Sequence, residues 1–508
     1  MIAMLVSSPR VRRATRAALV LFALAAPAGR AAAQPIRKDA SPGAPAAALD
    51  RTAAPRVGEA PRLTVPAWTT TTLSNGARLV VAPKRDLPLV SFDVTFDGGA
   101  HQFEPADRTG LAGMVGPLLL EGTTSKTGDQ LSEAQQLLGT SIEASIGGES
   151  GAIGFQALSD RLAPAAALLA DVMLRPTFPA DALERLRARV LVSLAQAKDQ
   201  PTTIASNVFA RTLYGAEHPY GRVTTEQSVR AITRDDVVAF HRRYFQPARA
   251  TITVTGDVEP EAVRAVVERA LAAAWPAGGA PASFAYPVVA APAARTIYLV
   301  DKPNAAQSSF AIGLPGPPRD TPDYYALQVM NRILGGHIQS RLSANIRETK
   351  GWSYGVGSRF GLGKGPGAFR AGGEIVTAKT DSALLEFMRE LRGVRGERPF
   401  TDEEIAEAKQ AIVQGLPRNF ASVGALAGAL TTLYQYGLPR DYYQTFADRI
   451  EAVTRADLDR VARRYVDLDR LAIIVVGDRA SIEAPLARTG VAPMVVLDAE
   501  GRRVPATP

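Results

Sequence analysis

The stretch AITRDDVVAFHRRYFQPARATITVTGD, residues Ala231–Asp257, decides the fold because a related stretch occurs again later in the chain. The stretch AVTRADLDRVARRYVDLDRLAIIVVGD, residues Ala452–Asp478, lies at a constant offset of 221 residues and is identical at 12 of 27 positions without a gap. The identical pairs include Thr233/Thr454, Arg234/Arg455, Asp236/Asp457, Arg243/Arg464, Tyr244/Tyr465, Gly256/Gly477 and Asp257/Asp478. We infer an internal duplication of one α/β unit of roughly 200 residues, an ordinary domain size.

Local patterns around the first copy predict its strands and helices. Asn75-Gly76 separates two β-type runs within Thr69–Val81, which is typical of a hairpin. Leu89–Phe96 and Ala250–Thr255 have the composition of strands. Helical periodicity marks Gly110–Leu120, Ser132–Leu138, Asp160–Met173, Pro179–Lys198 and Thr233–Tyr244. Because the last of these begins at Thr233 with Asp236 three residues on, we also predict a capping box there.

The composition changes along the chain predict its organisation. Arg10–Arg16, the apolar run Ala17–Ala26 and the small residues Ala31–Ala33 form a Sec-type signal pattern, and this apolar run is too short to span a bilayer. We therefore expect a periplasmic or secreted protein without a stable membrane span after signal cleavage. The expected segments are a signal peptide (1–33), a disordered leader (34–66), a first domain (67–275), a Pro/Ala/Gly linker (276–293), a second domain (294–501) and a tail (502–508).

Charge and cysteine content exclude several classes of function. The chain of 508 residues has a formal net charge of +8, but five arginines and no acids lie in residues 1–33, which leaves +3 for the rest. No dense Lys/Arg run with interleaved aromatic residues is present, so we expect no nucleic-acid partner. The absence of cysteine excludes disulfides, thiol nucleophiles and cysteine-bound metals.

Several short motifs follow one another in a fixed order and spacing. They are Gly110-Leu111-Ala112, Leu120-Glu121-Gly122-Thr123, Asp199-Gln200-Pro201, His218-Pro219-Tyr220-Gly221, Leu334-Gly335-Gly336, Ser340-Arg341-Leu342, Ile346-Arg347-Glu348, Ser353-Tyr354-Gly355-Val356 and Val476-Gly477-Asp478. From about Leu73 to Gly501 the chain thereby resembles the pitrilysin-like (M16) zinc peptidase family. The resemblance implies an α+β fold of two homologous α/β-roll domains, the LuxS/MPP-like metallohydrolase fold, forming half of a clam-like chamber.

The family's zinc motif is degenerate in this chain. Active relatives carry His-x-x-Glu-His on a helix, where the two histidines bind zinc and the glutamate activates water, and a distal glutamate completes the ligand set. Counted from the preceding motif, the first three positions are Gly113, Gly116 and Pro117, and the distal position is Ser193. We therefore expect no zinc and no cofactor in this chain, and no peptidase activity when it is alone.

The four histidines offer no replacement for this motif. They are His101, His218, His241 and His337. No two of them lie within five residues of each other, so a helical pair of ligands is excluded. We interpret each as a packing or surface residue, with His241 on the polar side of its helix.

An Arg/Tyr pair remains in the second copy. In active relatives an arginine and a tyrosine seven residues apart reach from the second domain to the substrate at the zinc site, and Arg347 and Tyr354 have this spacing. A hydroxyl and a guanidinium can stabilise the oxyanion of a tetrahedral intermediate. The alternative is that Arg347 is a solvated helix end and that Tyr354 is a core residue of the strand on which its motif is expected to lie.

The resemblance implies a function shared with a second chain. Some family members divide the site, so that one subunit carries the zinc motif and the other the Arg/Tyr pair. This chain would then be the non-zinc subunit of a periplasmic heterodimeric metallopeptidase, with zinc in a homologous partner and a peptide substrate bound as an added strand. The alternative is a non-enzymatic scaffold or peptide-binding protein. An independent enzyme of other chemistry lacks a Ser/His/Asp or paired-carboxylate constellation, and Gly361–Gly367 is typical of a hairpin turn.

Overall fold

Two six-stranded sheets organise the residues that this computed structural model describes, 63–278 and 284–504. The expected signal peptide, most of the expected leader, and residues 505–508 of the tail lie outside the described residues. The strands of the first sheet are β1 Thr69–Thr72, β2 Arg78–Pro83, β3 Leu89–Asp97, β4 Ser141–Ile146, β5 Ser150–Leu158 and β6 Ala250–Gly256. Those of the second are β7 Thr296–Asp301, β8 Gln307–Pro315, β9 Val356–Phe360, β10 Ala368–Val376, β11 Ala472–Gly477 and β12 Met494–Leu497.

The two sheets repeat one topology. Their strand orders are β1-β2-β6-β3-β5-β4 and β12-β7-β11-β8-β10-β9, so the repeated sequence supplies the third strand, β6 or β11, of each. Only the outermost strand differs, because β1 pairs antiparallel with β2 whereas β12 pairs parallel with β7. The predicted duplicated α+β fold is confirmed.

Helices cover both sheets, nine in the described part of the first half and seven in that of the second. Those of the first half are α1 Ala100–Phe103, α2 Leu111–Leu118, α3 Gly128–Leu137, α4 Leu162–Leu174, α5 Ala180–Ala197, α6 Pro201–Tyr214, α7 Glu226–Ala231, α8 Arg234–Tyr244 and α9 Pro260–Ala270. Those of the second half are α10 Tyr324–Leu334, α11 Thr380–Arg392, α12 Asp402–Gly415, α13 Val423–Gln435, α14 Tyr442–Glu451, α15 Arg455–Tyr465 and α16 Arg479–Arg488. Within the described part of the chain, none of these helices has the length and apolar character needed to cross a bilayer.

Each half places one helix on the sheet of the other half. Helix α6 belongs to the first copy in sequence but packs on β8 and β11, where Phe209 is buried in a cluster with Ala311 and Ile474. Helix α13, 221 residues later, packs on β3 and β6, and Thr255 Oγ1 donates to the carbonyl of Val423 at 2.7 Å. The two sequence copies are therefore joined in space by a reciprocal exchange of helices.

Two local predictions are confirmed in detail. Strands β1 and β2 form the predicted hairpin, and Gly76 adopts the left-handed conformation (φ 88°) that its turn requires. At the start of α8, Thr233 Oγ1 accepts from the Asp236 N–H, and the Asp236 side chain accepts from the Thr233 N–H. Because this box satisfies N–H groups that a helix start leaves unpaired, it fixes where α8 begins.

The segments expected to be leader and linker contain packed residues. Leu63 and Val65, which the sequence placed in the leader, pack against the core of the second half. Tyr286, in the expected linker, stacks on Tyr220 with ring centroids 5.0 Å apart. These apolar and aromatic side chains are isolated in Pro/Ala-rich sequence. No periodic pattern of hydrophobic residues around them predicts that they are buried.

Candidate functional site

Helix α2 carries the degenerate zinc-motif positions. Gly113 and Pro117 lie four residues apart on one exposed face of the helix, and Gly116 is buried against the neighbouring strand β4. On this face the helix presents no imidazole and no carboxylate.

The position of the general base is closed by the backbone of β4. A Cβ atom at Gly116 would lie 2.7 Å from the carbonyl oxygen of Ala144 and 3.1 Å from its carbonyl carbon. Both are backbone atoms of a paired strand, so a side chain at this position requires α2 or β4 to move. A glutamate does not fit there in the observed packing.

Two of the three expected ligand positions, Pro117 and Ser193, are also unsuited to a metal. Pro117 lies inside α2 and has no backbone N–H, and the helix passes into a 3₁₀ turn at Leu119–Glu121 directly after it. Ser193 is exposed on α5, which packs beside α2. Throughout residues 63–278 and 284–504, no group of three or more His, Asp or Glu side chains is placed to hold a metal ion.

Alanine at two glycines of α2 should have opposite effects on stability. Gly113→Ala meets no atom within 4 Å and should stabilise the protein by about 0.5–1 kcal/mol, since glycine weakens a helix interior. Gly116→Ala should destabilise it by about 1–3 kcal/mol because the new methyl group overpacks the contact with Ala144. Urea unfolding of both variants measures the difference, and a stable Gly116→Ala variant would contradict the closed packing.

Each of the four histidines has a partner of its own in the protein. The pairs are His101 Nδ1 with Tyr286 Oη (3.1 Å), His218 Nε2 with the Pro287 carbonyl (3.2 Å), His241 Nε2 with the Met173 carbonyl (2.8 Å) and His337 Nδ1 with the Gln339 N–H (3.2 Å). His241 differs from its prediction as a polar-face residue, because it is half-buried against the end of α4. All four side chains serve packing or turns.

The stability of the protein should fall on mild acidification because of His101. Burial lowers the pKa of His101 to about 4, Glu149 opposes this shift, and His218 and Arg222 add to it. Since the unfolded chain binds this proton near pH 6.5, unfolding gains protons between pH 6.5 and 4, and stability drops across that window. His101→Gln should flatten the urea-midpoint profile in this window. His337→Gln, at an unrelated loop, serves as the control for removing a histidine elsewhere in the protein.

The Arg/Tyr pair is placed on a surface loop and a helical turn. Arg347 lies in the π-helical turn Ser343–Thr349, with about a third of its side chain exposed, and its Nε is 3.3 Å from Glu348 Oε1. Tyr354 is 92% exposed and precedes β9 rather than lying on a strand, which corrects the strand placement of its motif. The alternative reading of Tyr354 as a core residue is therefore wrong.

The edge strand that follows Tyr354 is partly occupied. The Ser358 N–H of β9 donates to the Gly335 carbonyl at 2.9 Å, and Asn331 Nδ2 donates to the Ser358 carbonyl at 3.1 Å. On the other sheet, the Ile142 N–H of edge strand β4 donates to Gln135 Oε1 at 2.7 Å. An added strand can therefore pair with neither edge over its full length without displacing these groups.

A docking contact that sequence reasoning missed joins the two halves. The segment Gly361–Gly367 connects β9 and β10 as the predicted hairpin turn, and the Lys364 N–H donates to Glu149 Oε1 at 3.0 Å. Tyr220 Oη donates to the same carboxylate and accepts from the Gly365 N–H at 3.0 Å. The glycine-rich turn thus anchors the second half on the first, and Glu149 carried no local signal because its partners are distant in sequence.

Comparisons with known proteins agree with this fold. The family profile described as insulinase (peptidase family M16) matches residues 80–224, and the one described as peptidase M16 inactive domain matches residues 231–412. An uncharacterized zinc protease of Mycobacterium tuberculosis is 27% identical over 402 residues, which cover 78% of this chain and 90% of the relative.

Two further comparisons concern chains described as inactive. A protein of Helicobacter pylori named a non-peptidase homolog is 20% identical over 396 residues, covering 77% of this chain and 90% of that protein. The crystal structure of a peptidase M16 inactive domain from Pseudomonas fluorescens superposes with a TM-score of 0.74 at 26% identity, covering 81% of this chain and 98% of that one. The Helicobacter pylori comparison is one of sequence, and the Pseudomonas fluorescens comparison is one of structure.

Proposed function

Because the chain belongs to the M16 peptidase family, we propose that it is the catalytically incomplete subunit of a heterodimeric M16 metallopeptidase. In this proposal a homologous partner carries the intact His-x-x-Glu-His motif and its zinc. This chain supplies Arg347, Tyr354 and half of the substrate chamber.

The exposure of Tyr354 is the observation that carries the proposal. A tyrosine side chain that is 92% exposed contributes almost nothing to the core of its own chain, so its ring and hydroxyl are accessible to a substrate or a partner chain. Its hydroxyl can donate a hydrogen bond to a developing oxyanion, and the guanidinium of Arg347, on a side chain about one third exposed, can hold the substrate backbone.

The lost zinc positions support a division of labour between two chains. Gly113, Pro117 and Ser193 offer no metal-binding side chain, and Gly116 has no room for a general base. Zinc held by the partner's side chains would activate water for attack on the peptide carbonyl, so that part of the chemistry is assigned to the partner. The partly occupied edges β4 and β9 also favour the partner's sheet as the place where a substrate strand is added.

The proposed location is the periplasm. The proposal rests on the residue pattern of 1–33, an arginine-containing segment followed by an apolar run and small residues. N-terminal sequencing of the mature protein from a periplasmic extract is expected to begin after Ala33. An unprocessed protein retained in the cytoplasm would contradict this part of the proposal.

Affinity purification from the native cell tests the assembly. A tagged copy of this chain should bring down one M16 chain with His-x-x-Glu-His in equal amount, together with peptidase activity and one zinc per pair. This chain by itself should have neither. Recovery of the tagged chain alone, or with unrelated proteins only, would contradict the heterodimer.

A non-enzymatic peptide-binding or scaffold role is the second candidate. The closure of α2 on Ala144 fits this role as well as the first, since neither role needs a general base in this chain. The printed name of the Helicobacter pylori relative, a non-peptidase homolog, is in line with this reading. It predicts that no complex containing this chain cleaves peptides, which the same purification measures.

A further inference from the structure

A polar cavity of about 370 Å³ lies between the first turns of α6 and the strands β9 and β10. Its walls come from both halves of the molecule, since α6 belongs to the first copy and the strands to the second. The lining residues used below are Thr202, Ser206, Ser358, Arg359 and Arg370. None of the described residues that line it is an aspartate or a glutamate.

Two arginines that are cross-strand partners on one face of the sheet line this cavity. Arg359 on β9 and Arg370 on β10 are partners in the antiparallel register, so their side chains leave the same face of the sheet. Like charges at such positions destabilise a sheet. Among the described residues neither guanidinium has a carboxylate partner, and Glu374, further along β10, is exposed and pairs with neither. The cavity therefore concentrates positive charge that the protein itself does not neutralise.

The surroundings of Arg370 hold its guanidinium in place. Its Nη1 donates to Ser206 Oγ at 3.0 Å, and its Cζ lies 5.3 Å from the ring centre of Phe209. Burial, and then the charge of Arg359, lower the pKa of Arg370 to about 10, which means that its charge is poorly solvated where it stands. A guanidinium has five N–H donors, so several remain for an anion that enters the cavity.

The start of α6 adds to the same positive field. The helix begins at Pro201, its N-cap Gln200 makes no side-chain capping bond, and Thr202 of the first turn lines the cavity. A helix N-terminus carries a partial positive charge, which favours a negative group nearby. The arginine pair and the helix start converge on one space.

We propose that this cavity binds a carboxylate of the peptide substrate, an acidic side chain or the C-terminal group. The proposal rests on the proposed function, since it gives the substrate class of the same subunit. Tyr354 and Arg359 are five residues apart in the chain, so an extended peptide that contacts both side chains spans the interval with about five residues, roughly 17 Å. The recognised carboxylate is therefore about five residues from the bond that the complex cleaves.

Peptide binding to the purified chain without any partner tests the site. Three fluorescein-labelled ten-residue alanine/serine peptides are compared by anisotropy: one with two glutamates and an amidated end, one with two glutamines and an amidated end, and one with two glutamines and a free end. We expect the first or the third to bind at least tenfold more tightly than the second. Preference for the first identifies an acidic side chain, and preference for the third identifies the C-terminal carboxylate.

Variants connect that preference to the cavity. The double variant Arg359→Gln/Arg370→Gln should bind all three peptides equally, Arg370→Lys should keep part of the preference, and Arg463→Gln, at an exposed arginine on α15, should keep all of it. Without peptide, Arg359→Gln should be as stable as the wild type or more so, because a repulsion is removed. If Arg359 instead stabilised the fold, Arg359→Gln would lower the free energy of unfolding.

The outcomes that overturn the site are distinct from those that overturn the heterodimer. Equal affinity of the wild type for all three peptides, or a preference that survives in the double variant, would overturn the carboxylate site. Stabilisation by inorganic phosphate without any preference among the peptides would overturn its assignment to a peptide. Because the assay contains no zinc chain and measures no cleavage, failure to purify a partner leaves its result unaffected.

Discussion

Tyr354→Phe should lower kcat of the reconstituted two-chain peptidase by about 10²–10³-fold, with little change in KM. The substitution removes a single hydroxyl, and the proposed role of that hydroxyl is a hydrogen bond that is made to the oxyanion in the transition state. An interaction that is stronger in the transition state than in the ground state affects kcat, not ground-state binding. Steady-state kinetics of a purified pair, with one zinc per pair verified, measures the change.

Three controls isolate this effect. Because Tyr354 is 92% exposed, Tyr354→Phe should leave the melting temperature of this chain unchanged. Arg347→Ala should lower kcat/KM, and Arg347→Lys should recover only part of the loss, since a lysine cannot provide the planar fork of a guanidinium. A Tyr354→Phe complex with wild-type kcat would exclude the assigned role, whatever the behaviour of Arg347.

Phe209→Ala should destabilise the protein by about 3–5 kcal/mol, the usual cost of emptying the space of a buried phenylalanine. Phe209 lies on α6, is 4% exposed, and packs on the sheet of the other half. Its Cζ would be only 3.0 Å from a Cβ at Gly313, so the ring lies directly on the strand and the surrounding backbone has little freedom to close the cavity.

Urea unfolding with Phe284→Ala as the matched control tests the helix exchange. Phe284 is 39% exposed in the linker, so Phe284→Ala should lower the free energy of unfolding by less than about 1 kcal/mol. Since Phe209 connects the two copies, its loss should also separate one unfolding transition into two. A Phe209→Ala protein as stable as the Phe284→Ala protein would contradict the packing of α6 on the second sheet.

Local sequence patterns predict the fold where a residue and its partners are close in the chain. The hairpin at Asn75-Gly76, the capping box of Thr233 and Asp236, and the repeated unit each depend on spacing that is visible in one stretch. Helix α6 was not predicted, because its apolar face is completed by β8 and β11, which lie about a hundred or more residues away. No local period shows which sheet a helix will cover.

Some features of the candidate site could likewise be predicted from the sequence, and others could not. Counting residues from the neighbouring motifs predicts that Gly113, Gly116, Pro117 and Ser193 stand at the expected zinc-motif positions. The closure of Gly116 on Ala144 could not be predicted in this way, because it depends on how closely α2 approaches β4. The exposure of Tyr354 could not be predicted either, since Trp352, Tyr354 and Val356 alternate along the chain as the residues of one strand face do.

The arginine pair required the register of the second sheet. Arg359 and Arg370 are separated by a glycine-rich turn, and only the pairing of β9 with β10 places them opposite each other. Sequence alone gives their charges but not their shared face.

Titrating a fixed amount of the zinc-bearing partner with this chain tests the central claim most directly. Peptidase activity is measured against the molar ratio of the two chains, with Tyr354→Phe protein titrated in parallel. We predict no activity from this chain alone, a rise that saturates at one copy per partner, and a plateau about 10²–10³-fold lower with the variant. Activity of the partner that is unchanged by adding this chain would contradict the account.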